Sequence, residues 1–190
     1  MKSSPDQTNP WKTHETRLAY ENPWIKVTES DVTTPGGTPG IYGIVHFKNR
    51  AIGVIPVDSD GNTWLVGQFR YALNTYEWEI PEGGCPEGES YLDAAKRELQ
   101  EETGIVASDY ELLADNIALS NSVCNERATI YVARGLTFRR AAPEDTEELA
   151  VRKLPLTEAI AMALDGTITD SMSVIGLLKM AIEDRQVPAR

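Results

Sequence analysis

The stretch "GGCPEGESYLDAAKRELQEETGI", Gly83 to Ile105, decides the fold. It opens on two glycines and then changes to helical period. Ser90 with Asp93 resembles a capping box, and Gly104 is a natural C-terminal stop, so the spacing predicts a helix over residues 91–103. At about 100° per residue, Leu92, Ala95 and Leu99 share one arc and are predicted to pack on a sheet. Glu98, Glu101 and Glu102 share the adjoining arc with Ala94, whose methyl leaves room for a ligand, and Arg97 flanks it. Like charges three and four apart repel by a few tenths of a kcal/mol per pair. A solvated acidic face is the ordinary outcome of such spacing. Cations seated between the carboxylates are the alternative that offsets the repulsion.

Outward from this helix the pattern is β. Upstream, "WIKVTESDV", "IYGIVHF", "AIGVIPV" and "TWLVGQFR" read as strands, with "DSDGN" as a hairpin turn. Downstream, "YELL", "ATIYVARGL" and "LAVRKL" read as strands, separated by the acidic loop "AAPEDTEE". Helices are predicted from Glu158 to Leu164 and from Ser171 to Ile182, with Thr157 and Asp170 as N-caps. No internal repeat is found. The order of elements suggests an α/β (α+β) domain, a mixed β-sheet with helices packed on it.

The chain has 190 residues and a formal charge of −11, which suits one globular domain with a small appendage. That charge argues against a general nucleic-acid or anionic-membrane binder, and no apolar run reaches membrane-spanning length. An acidic protein can still bind a phosphate compound through metal ions and a few placed arginines. Residues 1–12 read as a flexible tail, 13–48 as an N-terminal β extension and 49–190 as the main domain. Cys85 and Cys124 have no CxxC spacing, so two reduced thiols in a cytoplasmic protein are expected. His14 and His46 are isolated, without zinc-site spacing. Trp24, Trp64 and Trp78 are assigned by default to core or interface.

Gly83, Glu89, the run Arg97-Glu98-Leu99, the pair Glu101-Glu102 and the closing Gly104-Ile105 fall at the fixed positions of the Nudix box, so the stretch resembles the signature of the Nudix hydrolase family. The resemblance implies an α/β/α sandwich and hydrolysis of a diphosphate linked to another moiety, with divalent metal, Mg²⁺ or in its place Mn²⁺, held by glutamates. It implies Glu98 and Glu102 as direct ligands, Glu101 as a further ligand or a neighbour of one, and the carbonyl of Glu82 as an additional ligand. Glu89 and Arg97 are then the ion pair that fixes the loop against the helix. Gly83 and Gly84 let backbone approach phosphate or metal.

Upstream, Gln68-Phe69-Arg70 and Trp78-Glu79-Ile80-Pro81 are similar to a segment of the ADP-ribose and nucleoside diphosphate sugar pyrophosphatases, with Glu82 in place of the usual Ala. "DGTITDSMSVIGLLKM" resembles the closing motif of the same subgroup. The chain departs from many ADP-ribose enzymes in having "ALSNSVCNER" where they carry a proline context, which favours a broader nucleotide-sugar preference. The resemblance makes Arg70 a diphosphate contact, Trp78 and Glu126 substrate-binding candidates, and one acid of the Glu144, Asp145, Glu147 and Glu148 loop the activator of water, Glu147 first. A homodimer built through the N-terminal β segment is implied by analogy. Two rivals stand beside the nucleotide-sugar reading: a sanitising hydrolase that cleaves NTPs to NMP and pyrophosphate, and a silent nucleotide-sugar-binding module.

Overall fold

The computed structural model describes residues 8–141 and 149–186. Two compact units divide the chain, and each is described by itself.

The first unit runs to Lys48 and is joined by Ser120–Asn125. Its antiparallel sheet has the order β1 (Lys12–Glu21), β2 (Ile25–Thr33), β3 (Pro39–Phe47). The alternation of "WIKVTESDV" is kept in β2, where every second residue turns inward, Val32 among them. β1 is exposed along its whole length, so period 2 leaves no mark in its sequence. Trp24 is 69% exposed, so of the two uses expected for it, core and interface, the core is excluded. The polar side chains inside this sheet pair with one another: Thr28 with His46 at 2.8 Å and Thr16 with Ser30 at 2.8 Å.

The second unit carries a mixed sheet of order β7 (Glu82–Cys85), β4 (Arg50–Pro56), β9 (Arg127–Phe138), β8 (Ile105–Ala118), in which β4 and β9 run parallel. An antiparallel sheet has the order β10 (Ala150–Pro155), β5 (Asn62–Arg70), β6 (Thr75–Glu79). The helices among the described residues are α1 (Tyr91–Thr103), α2 (Leu156–Asp165) and α3 (Ser171–Gln186). Strand β4 is apolar on both sides because both are covered. Ile52 and Val54 pack with Trp64 and with Ala94, Ala95 and Leu99 of α1. Ile55 packs with Leu65, with Ala159 and Met162 of α2, and with Met172 and Leu177 of α3. Helices thus cover both sides of the strands, as the α/β/α reading expects. No helix of the described residues is long and apolar enough to cross a membrane, and both cysteines are free thiols.

Three details depart from the sequence reading. β7, within the glycine-rich start of the box, forms a short strand instead of a loop, pairing Gly83 with Ile52 and Gly84 with Ala51. β8 extends well beyond "YELL", with register shifts after Leu112 and Ala114 and a positive φ at Asn116 that interrupt its alternation. α2 starts at Leu156 behind Pro155, with no side-chain cap, so Thr157 is not its N-cap. Pro155 ends β10 and its fixed φ suits a helix entry.

Between β6 and β7 the chain crosses from one sheet to the other in two residues, Ile80 and Pro81. Pro81 has no N–H, and its carbonyl accepts from Val54 N–H at 2.8 Å. Ile80 is fully buried, and its N–H donates to Ser173 Oγ at 2.8 Å. An orphaned N–H in that place would cost about 1–3 kcal/mol.

Candidate active site

Helix α1 forms where its caps require. The Ser90 hydroxyl oxygen accepts the Asp93 N–H at 3.1 Å, and at the other end Gly104, φ 73°, turns left-handed and donates to the Gln100 carbonyl at 2.9 Å. The buried face comprises Ala94, Ala95, Leu99 and Glu102. It is rotated from the expected one: Leu92 is exposed, and Ala94, expected to line a ligand site, lies in the core. The i, i+4 row Ala94, Glu98, Glu102 therefore runs down the flank that meets β7, and only Glu101 of the three box glutamates lies well toward water.

Arg97 organises the exposed side of this row. Its guanidinium donates to both oxygens of Glu89, at 3.1 and 2.8 Å, to Glu98 at 2.6 Å, to Glu101 at 3.1 Å and to the Gly84 carbonyl at 2.9 Å. The Glu89–Arg97 pair implied by the resemblance is present, and it binds the loop to the helix. The same pairing holds Glu89 below the usual carboxylate range. Glu98 lies so close over Gly83 that a Cβ built there would fall on its carboxyl group. Gly84 is approached less closely, by Asn49.

Glu102 is 2% exposed, and its Oε2 accepts the backbone N–H of Glu82 at 2.9 Å. The side chain of Glu82 points the other way. Its Oε1 accepts from Arg70 at 3.1 Å, while Oε2 is buried without a hydrogen-bond partner. Burial, then the charges of Asp170 and Glu79, push the Glu82 carboxyl well above its ordinary value, against the pull of Arg70.

Arg70 closes β5 and faces Glu79 of β6. Its Nε lies 2.8 and 3.0 Å from the two oxygens of Glu79, and its Nη2 also pairs with Glu79. Nη1 donates to no group among the described residues. Around Arg70 opens a cavity of about 460 Å³, lined by Tyr71, Leu73, Glu77, Glu79, Glu82 and Asp170 among others, within the size range of small-ligand sites. Trp78 is not among its lining residues and instead meets Tyr76 edge-on with ring centroids 5.8 Å apart. Glu126 stands just before β9, half-buried, and burial followed by the charge of Asp170 raises its carboxyl. Glu144, Asp145, Glu147 and Glu148 lie outside the described residues.

Sequence reasoning gave no role to Glu77, Glu79 or Thr169. The two glutamates alternate in "TYEWE", so period 2 placed them on one face of a strand, and that was the available signal. Thr169 and Asp170 come from the closing motif. Asp170 does cap α3, accepting the Ser173 N–H at 2.7 Å.

Among the described residues no group of three or more His, Cys, Asp or Glu side chains is arranged to hold a metal ion. The donor set still fits a hard cation. It consists of oxygens alone, with the Glu98 carboxylate laid over a glycine that has no Cβ to obstruct it. Arg97 supplies the countercharge to Glu98 and Glu101 in this arrangement.

Two family models match the chain: the NUDIX domain over residues 47–172, and the nucleoside diphosphate sugar hydrolase N-terminal domain over residues 11–45. The chain is 30% identical to a methanol dehydrogenase activator of Bacillus methanolicus, over 91% of this chain and 94% of that protein. It is 31% identical to an ADP-ribose pyrophosphatase of Mycobacterium tuberculosis, over 77% of this chain and 72% of that protein. The solved structure of an ADP compounds hydrolase superposes with a TM-score of 0.83 at 20% identity, covering 95% of this chain and 97% of that one, so the two share a fold. Nudix hydrolases generally use divalent metal ions, and the box with its arginine hub, matched by the NUDIX model across most of the chain, makes this protein an enzyme of the Nudix hydrolase family.

Proposed function

We propose that the enzyme hydrolyses the diphosphate linkage of a nucleoside diphosphate sugar, ADP-ribose or a compound like it, to a nucleoside monophosphate and a sugar phosphate. The observation that carries this reading is the double position of Glu82. Its N–H holds Glu102 of the box helix while its side chain lines the cavity of about 460 Å³, so the carboxylate row and a ligand-sized cavity share a wall. The match of residues 11–45 to a nucleoside diphosphate sugar hydrolase N-terminal domain supports the substrate class.

Glu98, Glu102, Glu101 and the carbonyl of Glu82 would hold Mg²⁺, with Mn²⁺ as a substitute. When bound, such an ion neutralises charge on the diphosphate oxygens and lowers the pKa of an attacking water. Arg97 keeps Glu98 and Glu101 oriented until they are needed as ligands. Arg70, fixed in direction by Glu79, presents its uncommitted Nη1 to the substrate, a donor suited to a phosphate oxygen. The acid that takes the proton from water is assigned to residues 144–148, Glu147 first, with Glu126 next. We read the protein as a homodimer through the N-terminal unit, where Leu18, Tyr20, Trp24 and Ile41 are exposed; a monomeric mass in sedimentation equilibrium at micromolar concentration would remove that reading.

Product chromatography over a panel of ADP-ribose, ADP-glucose and NTPs tests the function. The nucleotide sugars should exceed the matching NTP by at least about tenfold in kcat/KM. Pyrophosphate release from NTPs as the dominant activity would transfer the reading to a sanitising hydrolase, and binding of nucleotide sugars without turnover would transfer it to a silent module.

A further inference from the structure

The closing motif "DGTITDSMS", residues 165–173, supplies no ligand to the box, yet three of its side chains are tied to the site. The Thr169 hydroxyl donates to Glu77 Oε2 at 2.8 Å, on the cavity wall. The Ser173 hydroxyl oxygen accepts the Ile80 N–H at 2.8 Å, and Asp170 pins the backbone of Ser173 through its N–H at 2.7 Å.

The place where these bonds land matters. The ladder of β6 ends with Glu79 opposite Val66, and that of β7 begins with Glu82 opposite Gly53. Ile80 and Pro81 between them belong to no ladder. Pro81 lacks an N–H, so Ile80 offers the one backbone donor of the crossing, and that donor is given to α3. On one side of the crossing Glu79 orients Arg70; on the other the N–H of Glu82 holds Glu102. The crossing between the cavity arginine and the box carboxylate is therefore held from two sides, by the Val54 N–H on the Pro81 carbonyl and by the first turn of the C-terminal helix on the Ile80 N–H.

We propose that Ser173 and Thr169 are positioning residues for the hydrolytic site: Ser173 fixes the Ile80–Pro81 crossing and, through it, Glu102 relative to Arg70, while Thr169 fixes Glu77 in the cavity wall. The inference rests on the hydrolase reading above. A hydroxyl that merely satisfied a buried N–H would affect stability and nothing else, whereas a positioning hydroxyl alters metal affinity and turnover in protein that is still folded.

The test uses Ser173→Ala and Thr169→Val in the full chain, well below their melting temperatures, with Mn²⁺ alone titrated by electron paramagnetic resonance and ADP-ribose turnover measured separately. Ser173→Ala should weaken Mn²⁺ binding at least about threefold and lower kcat on the order of tenfold, since small misplacements at a reacting centre have effects of that size or larger. Thr169→Val should raise KM about threefold and leave Mn²⁺ binding as in wild type. A Ser173→Ala protein with a lower melting temperature but wild-type Mn²⁺ affinity and kcat would overturn the positioning role. If Ser173→Ala does not fold, Thr169→Val, a change at a residue that is itself exposed, decides: an unchanged KM overturns the proposal. A wild-type enzyme that binds Mn²⁺ and turns over no ADP-ribose would sink the substrate reading alone, because the Mn²⁺ comparison between wild type and Ser173→Ala still tests the positioning.

Discussion

Arg70 and Arg97 each sit among carboxylates, and the two clusters are built in opposite ways. Arg97 gathers partners along its own helix and the preceding loop: Glu89, Glu98 and Glu101, of which Glu89 and Glu101 keep 22% and 34% of their side-chain surface in water. Arg70 pairs across a β-ladder with Glu79, whose side chain is 3% exposed, and with Glu82. An exposed cluster can exchange its cation at little cost because water stands in for each lost partner. A buried carboxylate has no such replacement, so its arginine is structural before it is anything else. The first cluster is thus suited to give up its arginine contacts to a metal ion, and the second to hold one arginine in a fixed direction.

The largest expected effect is on stability. Arg70→Met strands Glu79 in the interior and should cost about 3 kcal/mol or more, the lower end for loss of one partner from a buried pair, because Arg70 itself reaches solvent. Arg97→Met leaves Glu89 and Glu101 within reach of water, with Glu98 12% exposed, and should cost less, about 1 kcal/mol. Urea unfolding of both variants in metal-free buffer checks the contrast, and equal losses would break it.

Next in size is an effect on turnover. Glu98→Gln and Glu102→Gln should each lower kcat by at least on the order of 10²-fold at saturating Mg²⁺, as each removes a charge from the proposed ligand set. Both should fold, since the amide oxygen that Glu102→Gln introduces can still accept the Glu82 N–H. Turnover near wild type in either variant would remove that residue from the ligand set.

The smallest effect is on pH dependence. Hydrogen bonds from Arg97 hold Glu89 below its ordinary pKa. A group depressed in the folded state stabilises it above the unfolded pKa, near 4.3, and loses that contribution as pH falls through the folded value. Wild type should therefore lose more melting temperature than Glu89→Gln between pH 5 and pH 3, by less than about 4 °C for an exposed pair. Parallel melting curves for the two proteins would place the pairing outside the stability of the loop.

Much of the fold was legible because its signals are local. Ser90, Asp93 and Gly104 bound α1 at the residues expected, since caps act within one turn. The box glutamates were recognisable from spacing, and their depth was not. Helical period fixes which residues share a face and leaves free how far the helix is rotated onto the sheet, so Leu92 and Ala94 changed places between water and core. β1 escaped alternation because none of it is buried. The Arg70–Glu79 pair and the Ile80–Ser173 bond escaped for another reason: the latter joins residues 93 positions apart, and no local rule of composition or period connects them. The contacts that shape the site are the ones a sequence encodes only through the whole fold.

The Ile80 amide has one more consequence. Most protected amide protons are held by neighbours in the same ladder or helix and report the opening of that element. This proton is held by a side chain of α3, so it becomes available to deuterium when the first turn of that helix detaches, even if both sheets stay intact. Its exchange rate is a single-atom gauge of how often the C-terminal helix lets go of the crossing between the two sheets.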